Sequence, residues 1–391
     1  MRKHAQRLTG VGSTIFAEMS ALAVRTGSVN LGQGFPDEDG PAEVIEAAVA
    51  ALRGGRNQYP PGHGTPELLD AVIAHQRRHY GLELERDQVV ATTGATEAIA
   101  AALLGLVDPG DEVIVLEPFY DSYVAMIQFA GGVRRPVTLR APDFRLDTDA
   151  LAAAVSDRTK LILLNTPHNP TGTVLTRAEL EAVAAVAIER DLVVVTDEVY
   201  EHLTFDQEHV PLATLPGMFE RTVTISSAGK TFSLTGWKVG WASGPADLVA
   251  AVEGAKNWLS YSSGAPLQPA VAVALDDHDA FHEALAKDLG ERRDRLCSGL
   301  EALGLRVYRP SGTYFVTTDV SVFGHPDGRA FCTALPGLAG VVAIPSQVFY
   351  DAAPDGGGDE GRHLVRWAFC KQREVIDEGL RRLGAADLRA G

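Results

Sequence analysis

Through the middle of the chain, short apolar runs alternate with longer amphipathic ones. Glu112 to Leu116, Lys160 to Asn165, Leu192 to Thr196 and Arg221 to Ser226 are rich in Val, Ile and Leu, the pattern of strands buried on both faces. Between such runs, Glu97 to Val107 and Arg177 to Arg190 carry apolar residues at three- and four-residue spacing, which predicts helices packed by one face. This alternation predicts crossover connections and a mainly parallel α/β sheet with helices on both sides. Ligands bind such sheets beyond the carboxyl ends of the strands. Asn169, Asp197 and Lys230 each follow one of the runs, so the pattern sends an amide, a carboxylate and an amine toward the same edge.

After Asp277 the pattern changes. A helical stretch from Phe281 to Leu303 leads into β runs at Leu305 to Tyr308, Thr313 to Thr318, Val341 to Ile344 and His363 to Phe369, then a helix around Glu374 to Leu383. This predicts a second, smaller α+β domain. Gly356-Gly357-Gly358, flanked by Asp residues, reads as a surface loop.

Composition narrows the function classes. A chain of 391 residues has room for two domains with a sizeable core. The formal net charge of -16 disfavours nucleic acid and anionic membrane as partners. An anionic cofactor would then need local donors. No apolar run reaches transmembrane length, and Arg2 and Lys3 are followed by a polar stretch without a secretory apolar region. Cys297, Cys332 and Cys370 are odd in number and widely spaced, which fits buried thiols in a cytoplasmic protein. The histidines show no HxxH or HExxH spacing, so no metal site is expected.

Lys230 is the most informative residue. It stands in Ser226-Ser227-Ala228-Gly229-Lys230-Thr231-Phe232, after a β run and among small residues, a setting in which an amine can form a Schiff base with a carbonyl cofactor. Gly94-Ala95-Thr96-Glu97-Ala98 joins a β run to an Ala-rich helix, whose N-terminal N–H groups suit a phosphate; the plain alternative is an N-cap by Thr96. Asp197 ends a buried strand, where a carboxylate is costly unless paired; a helix N-cap is its alternative. Arg366 lies inside the apolar run Leu364 to Phe369, either awaiting an anion or held in a structural ion pair on an edge strand. Gly32-Gln33-Gly34 is not a dinucleotide fingerprint, because no third Gly or opening helix follows.

The string SAGKTF followed by TGWKVGW, together with Asn30 to Asp37, Asn165 to Gly172, Thr196 to Tyr200 and Arg366, resembles the class I/II pyridoxal-phosphate-dependent aminotransferases over nearly the whole chain. Within them it is most similar to the branch of kynurenine aminotransferase, glutamine transaminase K and cysteine-conjugate β-lyase, and to bacterial N-succinyldiaminopimelate aminotransferases. The resemblance implies the type I fold, with an N-terminal arm at residues 1–30, a small domain from 31–45 and 290–391, and a large cofactor domain at 46–289. It implies Lys230 as the Schiff-base lysine and acid/base, Asp197 as partner of the pyridine nitrogen, and Asn169 and Tyr200 at the phenolic oxygen. Tyr120 would stack on the ring, and Ala95, Thr96, Ser227 and Lys238 would hold the phosphate, Lys238 where many relatives carry Arg. Arg366 and the backbone of Gly34 would bind the substrate carboxylate. Phe16, Tyr59 and Tyr261 match aromatic wall positions, the last two reaching a partner subunit's site in a homodimer. Dicarboxylate-specific relatives use a second arginine that the segment Leu259 to Pro266 does not supply. The implied reaction passes an amino group between an aromatic, Gln- or Met-like amino acid and a 2-oxo acid. N-succinyldiaminopimelate transamination and β-elimination on cysteine conjugates are the competing enzyme readings, and a non-catalytic cofactor-binding protein is the third.

Overall fold

In a computed structural model, described over residues 5–12, 14–351 and 360–391, the four predicted buried runs form the centre of one sheet. Its strands are β1 (Val89–Thr92), β2 (Glu112–Glu117), β3 (Val133–Thr138), β4 (Thr159–Asn165), β5 (Val193–Asp197), β6 (Thr222–Ser227) and β7 (Gly240–Ser243). The spatial order is β1-β7-β6-β5-β4-β2-β3, and β7 alone runs antiparallel to its neighbours. Strands β2 and β6 are buried along their whole length; β2 reads as an apolar run from Val113 to Leu116, while β6 sets Val223 and Ile225 among buried Thr and Ser.

Helices cover both faces. Gly94–Leu106 and Asp121–Ala130 pack on one side with Val113, Val115, Val195 and Val223; Arg177–Glu189 packs on the other with Ile114, Ile162 and Val194. Thr176 caps the Arg177–Glu189 helix, and Glu179 returns the bond in a capping box. A third apolar cluster joins the helices Ala42–Arg53, Pro66–Tyr80 and Leu267–Asp277.

The predicted second domain is a four-stranded antiparallel sheet. Ile344–Pro345, Leu364–Ala368, Phe315–Asp319 and Arg306–Tyr308 lie in that order, backed by Asp279–Ala302, Gly328–Ala339 and Arg373–Ala385. The run Val341 to Ile344 is split, because Val341–Val342 pairs instead with Val29–Asn30. The N-terminal helix Ile15–Thr26 packs Ile15, Met19 and Ala23 into this same core. The division at residues 1–30, 31–45 with 290–391, and 46–289 stays a proposal. The helix Ala42–Arg53 crosses one of its borders, and Asp279–Ala302 carries the chain over another. Gly356-Gly357-Gly358 lies outside the described residues. No described helix is long and apolar enough to cross a membrane.

Candidate active site

The carboxyl ends of β4, β5 and β6 open into a cavity of about 330 Å³. Its floor and walls include Asn169, Asp197, Tyr200, Ser227 and Lys230 from the large sheet. Ala95, Thr96 and Lys238 stand at one end, Phe16, Gly34 and Arg366 at the other, with Tyr120 along the side.

Each group is fixed by its local chain. Lys230 lies in the single turn Ala228–Thr231 that follows β6, with its amine 5.8 Å and 5.6 Å from the ring centres of Tyr200 and Tyr314. Burial pushes that amine down to about 8. Asp197 is the last residue of β5. Its Oδ2 accepts a 2.6 Å bond from the Tyr123 hydroxyl, and Oδ1 accepts one from the Val199 N–H. Burial still pushes its carboxyl up to about 6, because neither bond brings a positive charge. Burial likewise raises Tyr120 to about 12 and lifts Tyr200 far above the usual phenol range. No helix follows Asp197, so the capping alternative does not hold.

Arg366 sits on the inner strand Leu364–Ala368 and is 1% exposed. Its Nη1 donates to Asn169 Oδ1 at 3.0 Å and its Nη2 to the Gly32 carbonyl at 2.9 Å. Its guanidinium lies 3.8 Å from the Phe315 ring centre and 4.8 Å from that of Phe16. Among the described residues no carboxylate pairs with it, and Nε has no partner. Burial pushes the guanidinium down to about 10. This is neither an edge-strand residue nor half of an ion pair; it is a buried fork aimed at an absent anion. Gly34 is held by the Tyr314 hydroxyl on its carbonyl, and a Cβ there would meet Phe315 Cζ at 2.4 Å.

At the other end the helix Gly94–Leu106 begins at Gly94 with φ +73°, and Thr93 occupies the cap position without a side-chain bond. The alternative of an N-cap by Thr96 is therefore corrected: Thr96 lies in the first turn, leaving the end open. Lys238, itself left-handed at φ 56°, brings Nζ within 3.2 Å of where a Gly94 Cβ would stand. Gly240 permits this approach, since a Cβ there would meet Gly94 C at 2.8 Å and Ala95 N at 2.9 Å. Open N–H groups, Ser227 and an ammonium at one helix start make a dianion cradle.

The sequence profile described as aminotransferase class I and II matches residues 26–356. The chain belongs to the class I and II aminotransferases. It is 54% identical over 385 residues to the probable N-succinyldiaminopimelate aminotransferase of Mycobacterium tuberculosis, covering 96% of this chain and 97% of that protein. It is 37% identical over 404 residues to mouse kynurenine–oxoglutarate transaminase 3, covering 96% and 88%. The structure of an Escherichia coli protein identified as a methionine aminotransferase superposes with a TM-score of 0.92 at 37% identity, covering 98% of this chain and 99% of that one. The aminotransferase has the type I fold, and its cofactor is pyridoxal phosphate.

The donor set fits that cofactor. The dianion cradle suits its phosphate, the buried Asp197 carboxylate its ring nitrogen, and the Lys230 amine its carbonyl. Two supporting groups went unread in the sequence. Tyr123 orients Asp197; the only signal was a second tyrosine one helical turn after Tyr120. Asn165 donates to the Asp197 carbonyl at 2.8 Å and accepts from the Asn169 N–H at 2.7 Å, bracing two strand ends. The cavity does not gather Tyr59 and Tyr261. Both are exposed, with rings 5.7 Å apart, on the outer surface. Phe119 and Trp241 are buried core residues, as their apolar setting suggests.

Proposed function

We propose that this aminotransferase moves an amino group between an amino acid with an aromatic, amide or thioether side chain and a 2-oxo acid, in a ping-pong cycle. The observation that carries the reading is the Arg366 guanidinium, without a carboxylate partner among the described residues, in a cavity whose other described cationic groups are Lys230 and Lys238. Phe16, Phe35 and Phe315 line the same end, so among the described residues a side-chain carboxylate would find no counter-charge there.

Pyridoxal phosphate, when bound, supplies an electrophilic carbonyl and an electron-withdrawing ring that acidifies the Cα–H of the amino acid. Arg366 and the Gly34 N–H hold the substrate α-carboxylate, which fixes the direction of the Cα–H bond. Asn169 accepts from Arg366 on its Oδ1, which leaves its NH₂ free to donate; with the Tyr200 hydroxyl it would hold the cofactor's phenolic oxygen. Asp197, steadied by Tyr123, keeps a proton on the ring nitrogen. The Lys230 amine would serve as the acid/base that takes the proton from the substrate Cα and gives it up again, a role that an amine near 8 suits. Tyr120 covers the ring, and Ala95, Thr96, Ser227 and Lys238 hold the phosphate.

The test is a panel of kcat/KM values for Gln, Met, Phe, kynurenine, aspartate and N-succinyldiaminopimelate, with pyruvate release from a cysteine conjugate measured beside it. The aromatic, amide and sulfur donors should fall within about 100-fold of one another, as apolar pockets discriminate modestly. A second reading, transamination of N-succinyldiaminopimelate, is favoured by the 54% identity to the mycobacterial relative. If that substrate or aspartate led every aromatic and sulfur amino acid by more than roughly 100-fold, about 2.7 kcal/mol, the broad reading would be wrong. Pyruvate release faster than transamination would move the function to β-elimination.

We also infer a cytoplasmic homodimer with shared sites. Tyr59, Trp258, Leu259 and Tyr261 are all exposed, Trp258 at 91%, and Tyr59 and Tyr261 are in edge-to-face contact. Exposed large apolar side chains gathered in this way mark a contact surface. Sedimentation of the holo-protein at assay concentration should show a dimer; a fully active monomer would rule it out.

A further inference from the structure

Away from the active site, the fold gathers four histidines. His75 and His79 stand one turn apart on the helix Pro66–Tyr80, with ring centres 4.6 Å apart. His202 closes the turn that begins at Asp197, and its ring centre lies 4.9 Å from that of His75 and 4.8 Å from that of His79. His282, in the first turn of Asp279–Ala302, stacks on His202 at 4.0 Å. The candidate donor atoms of His75, His79 and His202 all lie within 4.8 Å of one another, and those of His79, Asp279 and His282 do too.

We propose that His75, His79 and His202 bind a divalent transition-metal cation, with Asp279 as the adjoining carboxylate. Three imidazoles select zinc, copper, nickel or cobalt over magnesium and calcium, which take oxygen ligands. His75 Nε2 and His202 Nε2 face each other at 2.7 Å, where a single shared proton joins them. Tetrahedral ligation with metal–nitrogen bonds of about 2.0–2.1 Å separates two ligand nitrogens by about 3.3 Å. The pair therefore has to open by roughly 0.6 Å to admit a cation. His75 is buried, and His79 and His202 are half-buried.

Asp279 gives the site its polarity. Its Oδ1 lies 3.3 Å from His79 Nε2 and 3.4 Å from His282 Nε2. Arg78 clamps the same carboxylate, Nε to Oδ2 at 2.8 Å and Nη2 to Oδ1 at 3.0 Å. The clamp offsets the arginine's charge beside a cation and holds the carboxylate toward His79, the support metal-bound histidines commonly have. An occupied site would staple three separate segments: the helix Pro66–Tyr80, the turn after Tyr200 and the start of the long helix. The expectation of no metal site rested on HxxH and HExxH spacing. That expectation is corrected: His75 and His79 have the i, i+4 spacing of the two HExxH histidines, with Gln76 in place of the Glu, which puts them on one helix face.

The test uses tag-free holoenzyme stripped with a chelator and titrated with zinc sulfate, followed by calorimetry and by thermal unfolding. About one equivalent should bind per chain. Zinc at a hundred times its Kd should favour the folded state about 100-fold and raise Tm, while magnesium at the same concentration leaves it unchanged. His79→Ala, which removes the residue common to both groups, should weaken zinc binding at least about tenfold and abolish the rise in Tm. Copper(II) bound to the wild-type protein should show electron-paramagnetic splitting from imidazole nitrogens, a readout that requires no variant. Absence of stoichiometric zinc binding, undiminished binding by His79→Ala, or a copper signal without nitrogen splitting would each overturn the site.

Discussion

Lys230→Ala should lose turnover by more than about 10⁴-fold, the upper range for a positioned acid/base, because the amine is also the covalent anchor. The visible absorbance of the cofactor-bound enzyme should shift with the loss of that anchor. The fold should survive. Among the described residues the Lys230 amine makes no hydrogen bond or ion pair; the Tyr200 and Tyr314 rings stand near it, with Cys370 and Asp197 close enough to act on its charge. Its removal takes away a poorly solvated charge, so Tm should hold or rise slightly. A variant that lost activity together with cooperative unfolding would point to a structural lysine instead. Borohydride reduction of the wild-type holoenzyme followed by peptide mapping should place the cofactor on Lys230. The competing lysines are otherwise engaged: Lys256 is buried and donates to the Gly62 carbonyl, and Lys238 stands beside Gly94. A label on either would sink the assignment.

How much of this was legible in the sequence depended on burial. Strands β2, β4 and β5 have apolar centres and β6 sets Val223 and Ile225 between buried threonines, and their predicted ends fall within about a residue of those observed. Strand β3 was not predicted. It lies at the sheet edge, and Arg134, Arg135 and Pro136 interrupt its pattern. Strand β7 was missed because Gly240, Ala242 and Ser243 carry little β signal; its glycine is there to let Gly94 and Ala95 come close. Asn169, Asp197 and Lys230 were readable because each directly follows a strong run. Tyr123 and Asn165 were not, since their work is to brace those residues across the sheet and no local pattern records it. Of the histidine group, the i, i+4 pair His75 and His79 was readable and overlooked, while its meeting with His202, Asp279 and His282 was not, because these come from two distant segments.

Arg366→Lys should lower kcat/KM for every amino acid by about 30- to 5,000-fold, corresponding to the 2–5 kcal/mol typical of a truncated buried charge pair. The charge is conserved, but a lysine gives a point charge where the carboxylate needs two parallel donors. A shorter side chain would also release Asn169 Oδ1 and the Gly32 carbonyl, so some of the loss should appear in kcat through a loosened Asn169. The same variant should slow the deamination of a simple alkylamine only by the smaller part that a loosened Asn169 costs, since that substrate has no carboxylate for the fork to hold. That comparison separates recognition from packing. The guanidinium lies against Phe315, Phe16 and Phe349, and an effect of packing alone would depress both kinds of substrate together. Equal losses for amino acid and alkylamine would make Arg366 a structural residue and would remove the observation on which the substrate assignment rests.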